Sequence, residues 1–325
     1  MAKVPKLQNS SVIKFSGPIG YKMDYFCCNL NKRYGLFAAK WTASKTDFYN
    51  GLYVIDLDTN TERLLEGFST TIESIICSKD NKTILCSSSQ DDTIINLETG
   101  QEKRVKKKPI EPTYVKNAAI KNAAFFHNED KLIAYQNGMF YLYNSSMEIE
   151  RSIKKDVFNQ PQIVILANDK YMVFTTYKEI ILLEVETGKE INKYLSQVDT
   201  ITAINISPNE KLLLYAGCGV SSSNDRELVY PIYLLDLETG KIIYQTIIYK
   251  HVIVYLEFSS NGRYVVVTTA DKAISYLDIK NGNIVQSFQG HRLAPWKAIF
   301  SDDDQQVISI SPDKTIRRWN TTFLS

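Results

Sequence analysis

A short apolar strand that meets one acidic or amide residue and then turns recurs seven times in this chain, and that recurrence constrains the fold more than any other feature. The segments are YVIDLDTN (53–60), IINLETG (94–100), YLYNSSME (141–148), ILLEVETG (181–188), YLLDLETG (233–240), SYLDIKNG (275–282) and RRWNTT (317–322). Anchored on the polar residue (Asp56, Asn96, Asn144, Glu184, Asp236, Asp278, Asn320), successive copies lie 40, 48, 40, 52, 42 and 42 residues apart. A period of about 40–45 residues accommodates four short antiparallel strands with their turns, which is one propeller blade.

The chemistry of each copy agrees with its spacing. The residues after the anchor (DTN, ETG, KNG) supply Gly or Asn where a hairpin turn needs positive φ, and β-branched or aromatic runs flank them. A second signal precedes most anchors by about thirty residues. INISPNEKLLLYAG (204–217), LEFSSNGRYVVVT (256–268), AIFSDDDQQVISI (298–310) and IICSKDNKTILC (75–86) each read as strand, polar turn, strand. No stretch sustains a 3.6-residue period, so the pattern predicts an all-β fold with no helical layer. The expected architecture is one seven-bladed β-propeller over residues 1–325, with residues 1–10 as a flexible tail. Val12–Gly17 matches Val285–Gly290, the outer strand of the sixth copy, while only six residues follow Trp319. The first strand of the chain is therefore expected to complete the seventh blade and close the ring, which removes exposed edges.

In the last copy the pattern becomes specific. It runs from Gly290-His291 through AIFSDDD to Val307-Ile308-Ser309-Ile310-Ser311-Pro312-Asp313-Lys314-Thr315-Ile316-Arg317-Arg318-Trp319-Asn320. This resembles the WD40-repeat family, with Asn320 in place of the family's terminal Asp. The resemblance implies a structural tetrad of His291, Ser309, Asp313 and Trp319, a hydrogen-bond chain from indole through hydroxyl and imidazole to carboxylate. Leu235 and Leu277 stand where two other copies would have the Trp, so those blades are expected to cohere by apolar packing.

Composition narrows the function. Thirty-eight basic residues against 36 acidic ones leave a net charge of +2, too balanced to steer the whole chain toward nucleic acid or an anionic membrane. No apolar window approaches the ~20 residues of a membrane-spanning helix, and MAKVPKLQNSS lacks the apolar core of a secretory signal, which makes the cytoplasm the expected compartment. The five cysteines show no C-x-x-C spacing and read as reduced thiols. Three histidines, His127, His251 and His291, are too few and too scattered for a zinc motif, so neither metal nor cofactor is expected. The Asp302-Asp303-Asp304 cluster reads as a solvated hairpin tip rather than a calcium loop. Arg104-Val105-Lys106-Lys107-Lys108 is the one basic run; it reads either as a charged edge strand or as a contact for phosphoinositide or another acidic ligand.

The family resemblance implies a protein or peptide partner, met by loops at the ends of the strands around the central channel. Carried over by alignment, the candidate contacts are Asp24, Glu73, Asn122, Gln162, Thr202 and Trp296. Trp296 is either an interface anchor or packed on a neighbouring blade. Two insertions, 42–51 and 218–231, lengthen hairpins of blades one and five, and Phe48 and Tyr49 in the first offer apolar contacts. The expectation is a non-catalytic scaffold, a monomeric propeller inside a larger complex. The alternative of another class is a hydrolase or lyase that uses the propeller as a frame for a channel active site.

Overall fold

The structure, a computed structural model, describes residues 10–14, 22–42, 48–106, 120, 122–127, 131–136, 138–155, 157, 161–220, 227–246 and 250–321. These residues contain no helix, and their strands form seven antiparallel sheets, the blades of a seven-bladed β-propeller. The chain divides into two compact units: residues 16–173 with 182–191, and residues 1–15 with 174–181 and 192–325.

In the unit that begins at residue 16, sheet one consists of Lys22–Leu30, Tyr34–Thr42, Phe48–Asp56 and Glu62–Leu65. Sheet two is Ser74–Cys77, Thr83–Ser87, Asp91–Asn96 and Glu102–Lys106. Sheet three is Asn122–Phe125, Leu132–Gln136, Met139–Tyr143 and Ile149–Lys154. Leu36, Leu52 and Val54 of sheet one pack with Ile75, Ile84, Cys86 and Ile95 of sheet two. Leu85, on the opposite face of its strand, joins Phe125, Leu132 and Ala134 of sheet three. Sheet four (Ile163–Ile165, Tyr171–Thr175, Glu179–Glu184, Glu190–Leu195) has residues in each unit.

In the other unit, sheet five is Thr200–Ile206, Leu212–Val220, Ile232–Asp236 and Ile242–Thr246, with a two-residue strand, Leu228–Val229, paired to the end of its second strand. Sheet six is Ile253–Phe258, Tyr264–Thr269, Ile274–Asp278 and Asn283–Phe288. Sheet seven is Lys297–Phe300, Gln306–Ser311 and Thr315–Asn320, with the N-terminal strand Ser10–Lys14 as its fourth member. That strand pairs antiparallel, Ser10 opposite Trp319 and Lys14 opposite Thr315, and starts two residues earlier than the sequence match indicates. Residues 1–9 and 15–17 of the expected tail and strand lie outside the described residues.

The apolar run Tyr264–Val267 shows why these strands carry continuous hydrophobic stretches. Val265 and Val267 face sheet five, where they meet Leu214, Ala216, Ile232 and Leu234. Tyr264 and Val266 face sheet seven and meet Phe300, Val307 and Trp319. Successive side chains on a strand point to opposite faces, and here both faces are covered, so alternation disappears. Leu235 and Leu277 are 2% and 3% exposed, filling by packing the positions that Trp319 fills in sheet seven.

Two turn devices repeat. At the third-to-fourth strand turn the anchor carboxylate or amide folds back on the chain: Asp236 Oδ1 accepts from Glu238 N (2.9 Å) and Thr239 N (2.8 Å), and Asn96 Oδ1 from Glu98 N (3.0 Å) and Thr99 N (2.9 Å). Gly240 and Gly100 then take φ of 69° and 73°, conformations open to glycine without steric cost. Glu184, one methylene longer, instead accepts from the Thr187 hydroxyl at 2.6 Å. At the first-to-second strand turn, Ser259 and Asn261, like Ser207 and Asn209, close the hairpin side chain to side chain, and the Ser hydroxyl accepts a backbone N–H five residues on.

That second device corrects the reading of Asp302–Asp304 as a solvated tip. Asp303 caps its own turn by accepting from Ser301 Oγ and Gln305 N. Asp304 has φ 56° and is 6% exposed; its carboxylate accepts Ser260 N (2.9 Å) and Asn261 N (3.1 Å) from the turn of sheet six. Asp169 does the same for His127 N at 2.7 Å, with His127 Nδ1 at 3.1 Å, and Asn81 Oδ1 does so for Lys32 N at 3.3 Å. Each latch satisfies backbone N–H groups that would otherwise lack partners in a tightly packed turn.

Candidate interaction surface

The polar network of sheet seven fixes the loop that enters it. Trp319 Nε1 donates to Ser309 Oγ (2.9 Å), and Ser309 Oγ lies 2.8 Å from His291 Nε2. His291 Nδ1 lies 3.0 Å from Asp313 Oδ2, and Thr315 Oγ1, a fifth member, donates to Asp313 Oδ1 at 2.6 Å. With Nδ1–H donating to the carboxylate, Nε2 is an acceptor for the Ser309 hydroxyl, so one donor direction runs from indole to carboxylate. Burial by itself would raise the Asp313 pKa; hydrogen bonds from His291, Thr315 and Arg292 outweigh it and bring the group down to about 2.

The same carboxylate accepts Arg292 N at 2.7 Å. Ser311 Oγ donates to Leu293 O (3.0 Å), and Trp296 N donates to Ile310 O (3.0 Å). Residues 291–296 are thus held at several points, while Leu293 and Trp296 remain 49% and 38% exposed.

Sheet two has a related network that the sequence reading does not single out. Asp91 Oδ2 accepts from Ser69 Oγ (2.6 Å) and Oδ1 from Ser88 Oγ (2.8 Å). Ser87 and Asp91 have the four-residue spacing of Ser309 and Asp313, which is the signal that could have found it. Ser69 takes the imidazole's place on the carboxylate but does not extend the chain to Ser87, whose hydroxyl donates to Asp92 and accepts from Ile120 N (2.7 Å).

In the unit containing sheets five to seven, first strands lie side by side and start at a common end. Thr202 Oγ1 donates to Ile253 O (2.9 Å), and Lys297 Nζ sits 5.3 Å from the centre of the Tyr255 ring. Among the described residues, nine large hydrophobic side chains of this unit are exposed, and seven of them lie at that end: Tyr177 and Leu195 from sheet four, Val220 and Leu228 from sheet five, and Val252, Leu293 and Trp296 just before the first strands of sheets six and seven. Val220 and Leu228 are cross-strand partners on the lengthened hairpin of sheet five. Tyr177 and Leu195 are brought together by the bond from Ser196 N to Lys178 O (2.8 Å). Of these, Trp296 is singled out by the sequence as a side chain, and Val220 and Leu228 fall in the insertion 218–231; the other loop apolars have no periodicity to mark them.

The remaining candidates are distributed as follows. Thr202 is half-buried and engaged with sheet six. Glu73 is exposed, with its N–H bonded to Ser87 O (2.9 Å). Asn122 and Gln162 are half-buried. Asp24 pairs with Lys40 in backbone register and Phe48 with Thr42, but their side chains lie outside the described residues, as do 43–47 and 221–226 of the two lengthened hairpins. Tyr49 is exposed and stacked on buried Trp41, centroids 6.0 Å apart at 16°.

Arg104 of the basic run is locally engaged. It donates to Gly67 O, lies 3.7 Å from Glu102 and sits over the Phe68 ring at 5.2 Å. Lys107 and Lys108, and the Lys106 side chain, are outside the described residues. A cleft of about 700 Å³ between sheets two and three is lined by Asp80, Asn96, Lys103, Phe125 and His127 among others. Among the described residues no His, Cys, Asp and Glu side chains cluster as metal ligands, and no helix is long and apolar enough to cross a membrane.

Comparison with known proteins agrees with this architecture. The profile of the WD40 family (WD domain, G-beta repeat) matches residues 282–320. WD repeat-containing protein 1-B of Xenopus laevis is 24% identical over 191 residues, 58% of this chain and 29% of that protein. The chain thus spans less than a third of that relative's length. A chain in the crystal structure of the mitotic checkpoint complex superposes with a TM-score of 0.71 at 12% identity, over 99% of this chain and 95% of that one. At that identity the likeness is one of fold.

Proposed function

From the premise of a seven-bladed β-propeller whose last blade is a WD40 repeat, we propose that the protein is a non-catalytic scaffold that holds a protein partner against the loop end of sheets five to seven. One observation carries the proposal: among the described residues, seven of the nine exposed large hydrophobic side chains of this unit lie at that end, two of them contributed by the adjoining sheet four. Scattered single apolars on a surface are ordinary, but a collection at one end, on loops fixed by buried hydrogen bonds, is what a recognition surface requires. Trp296 and Leu293 are its anchors, because aromatic and aliphatic groups on an immobilised loop give up water without a large loss of conformational freedom.

Affinity capture with the tagged full chain tests it, comparing the natural sequence with Leu293→Ser/Trp296→Ser. The expected result is loss of a defined set of co-purifying proteins at an unchanged melting temperature. An identical set from both proteins would overturn the proposal.

A further inference from the structure

The loop end of sheets six and seven carries apolar and basic side chains together. Val252, Leu293 and Trp296 are exposed, and so are Lys250, Lys272 and Arg292 from the same connections. These three cations enter no ion pair among the described residues. Of the two nearby acids, one is buried and the other, Asp271, keeps 40% of its side chain exposed beside His251, so the three cations outnumber the exposed carboxylate. Asp313 has a side chain only 2% exposed and takes His291, Thr315 and the Arg292 N–H. Asp271 faces His251 at 3.9 Å and accepts from the Thr269 hydroxyl at 2.5 Å. Ala270 N, bonded to Val252 O (2.9 Å), ties the loop bearing Lys272 to the loop bearing Lys250. The whole chain carries a net charge of only +2, so this local excess is not a reflection of a basic protein.

Resting on the scaffold reading above, we infer that this end takes an acidic, apolar peptide segment of a protein, its hydrophobic side chains on Val252, Leu293 and Trp296 and its carboxylates toward Lys250, Lys272 and Arg292. Complementary charge beside apolar side chains steers encounter and rejects basic segments, while the buried apolar contacts supply residence time. Arg292 is well placed for a carboxylate: its backbone is pinned by Asp313, and a guanidinium offers paired donors in a fixed plane.

The experiment is selection of a random-peptide display library on the full chain, followed by fluorescence anisotropy of the enriched peptides. Enriched sequences should be net negative with spaced Leu, Ile, Phe or Trp. Their affinity should fall about tenfold or more in Lys250→Glu/Lys272→Glu/Arg292→Glu, about as much in Leu293→Ser/Trp296→Ser, and should weaken as salt is raised. Lys250→Gln/Lys272→Gln/Arg292→Gln should give an intermediate loss, and circular dichroism should show all variants folded.

Selection of basic, neutral or no sequences overturns the inference, as does an acidic set indifferent to charge reversal. Binding of polyuridylate RNA or phosphatidylserine vesicles, lost in the charge-reversed protein while peptides fail to bind, assigns the surface to another class of ligand and also overturns it. Partners captured through Leu293 and Trp296 but indifferent to charge reversal would leave the scaffold reading intact and remove only this one.

Discussion

Ser309 is the residue whose replacement most directly tests the polar network of sheet seven. It is 0% exposed, and its hydroxyl serves two buried groups at once, accepting from Trp319 Nε1 and donating to His291 Nε2. Ser309→Ala removes little volume, so the cavity contribution is small. What remains is an indole N–H and an imidazole lone pair, each buried without a partner at about 1–3 kcal/mol. The expected loss is therefore about 2–6 kcal/mol, measured by urea unfolding followed by circular dichroism, since tryptophan fluorescence would itself respond to changes at Trp319. Trp319→Phe supplies the control, because it retains an aromatic ring against Phe288 (centroids now 5.3 Å apart) while deleting the donor. In that background Ser309→Ala orphans only the imidazole, and its cost should shrink by about 1–3 kcal/mol. A loss below about 0.5 kcal/mol, the size of an ordinary surface substitution, or equal losses in the two backgrounds would refute the directional chain.

Three further outcomes follow from other parts of the structure. Asp304→Ala removes two bonds to backbone N–H groups of sheet six and places alanine at φ 56°; urea unfolding should show a loss of about 2–4 kcal/mol, and Asp304→Asn, which tolerates that conformation, a smaller one. Asp313 is held at about 2 against an ordinary 3.8, so its contribution is complete above about pH 4 and is lost as pH falls through about 2; unfolding free energy should decline across that window, and less steeply in Asp313→Asn. Burial pushes the Cys27 thiol up to about 12 and also raises Cys86, so mass spectrometry after brief maleimide treatment of the folded protein at pH 8 should find both unmodified until denaturant is added.

The fold was legible because its determinants are local and repeated. Seven copies of strand, anchor and turn specify seven sheets, and the anchors do what their chemistry suggests, as Asp236 and Asn96 show by capping their own turns. What the sequence concealed depends on which turns become neighbours. Three consecutive aspartates at a hairpin tip look solvated, yet Asp304 is covered because the turn at 259–262 lies against it, and nothing within residues 301–305 encodes that proximity. The surface was harder still. Val252, Leu293 and Leu228 are ordinary aliphatics in a chain rich in buried ones, and only the course of the connections decides that these three face outward. Trp296 could be singled out for its size, but its exposure is a property of how residue 296 is bonded to Ile310.

The polar network of sheet seven makes physical sense only when the loop is considered with the sheet. Burying a histidine and an aspartate desolvates both, and sheets five and six show that leucine fills the equivalent core position, so cohesion between sheets does not require the network. What Leu235 and Leu277 cannot do is hold a connecting loop. Asp313 holds one by accepting the Arg292 N–H, and Ser311 and Ile310 fix Leu293 and Trp296 through the backbone. Asp91 of sheet two acts alike on its own loop through Ser69. Binding that begins from an already ordered loop loses less conformational entropy than binding that must order it, so a network neutral or costly for folding improves recognition at the residues it pins. Stability of the sheets and readiness of the surface are then separable properties, the first supplied by apolar packing and the second by a few buried hydrogen bonds.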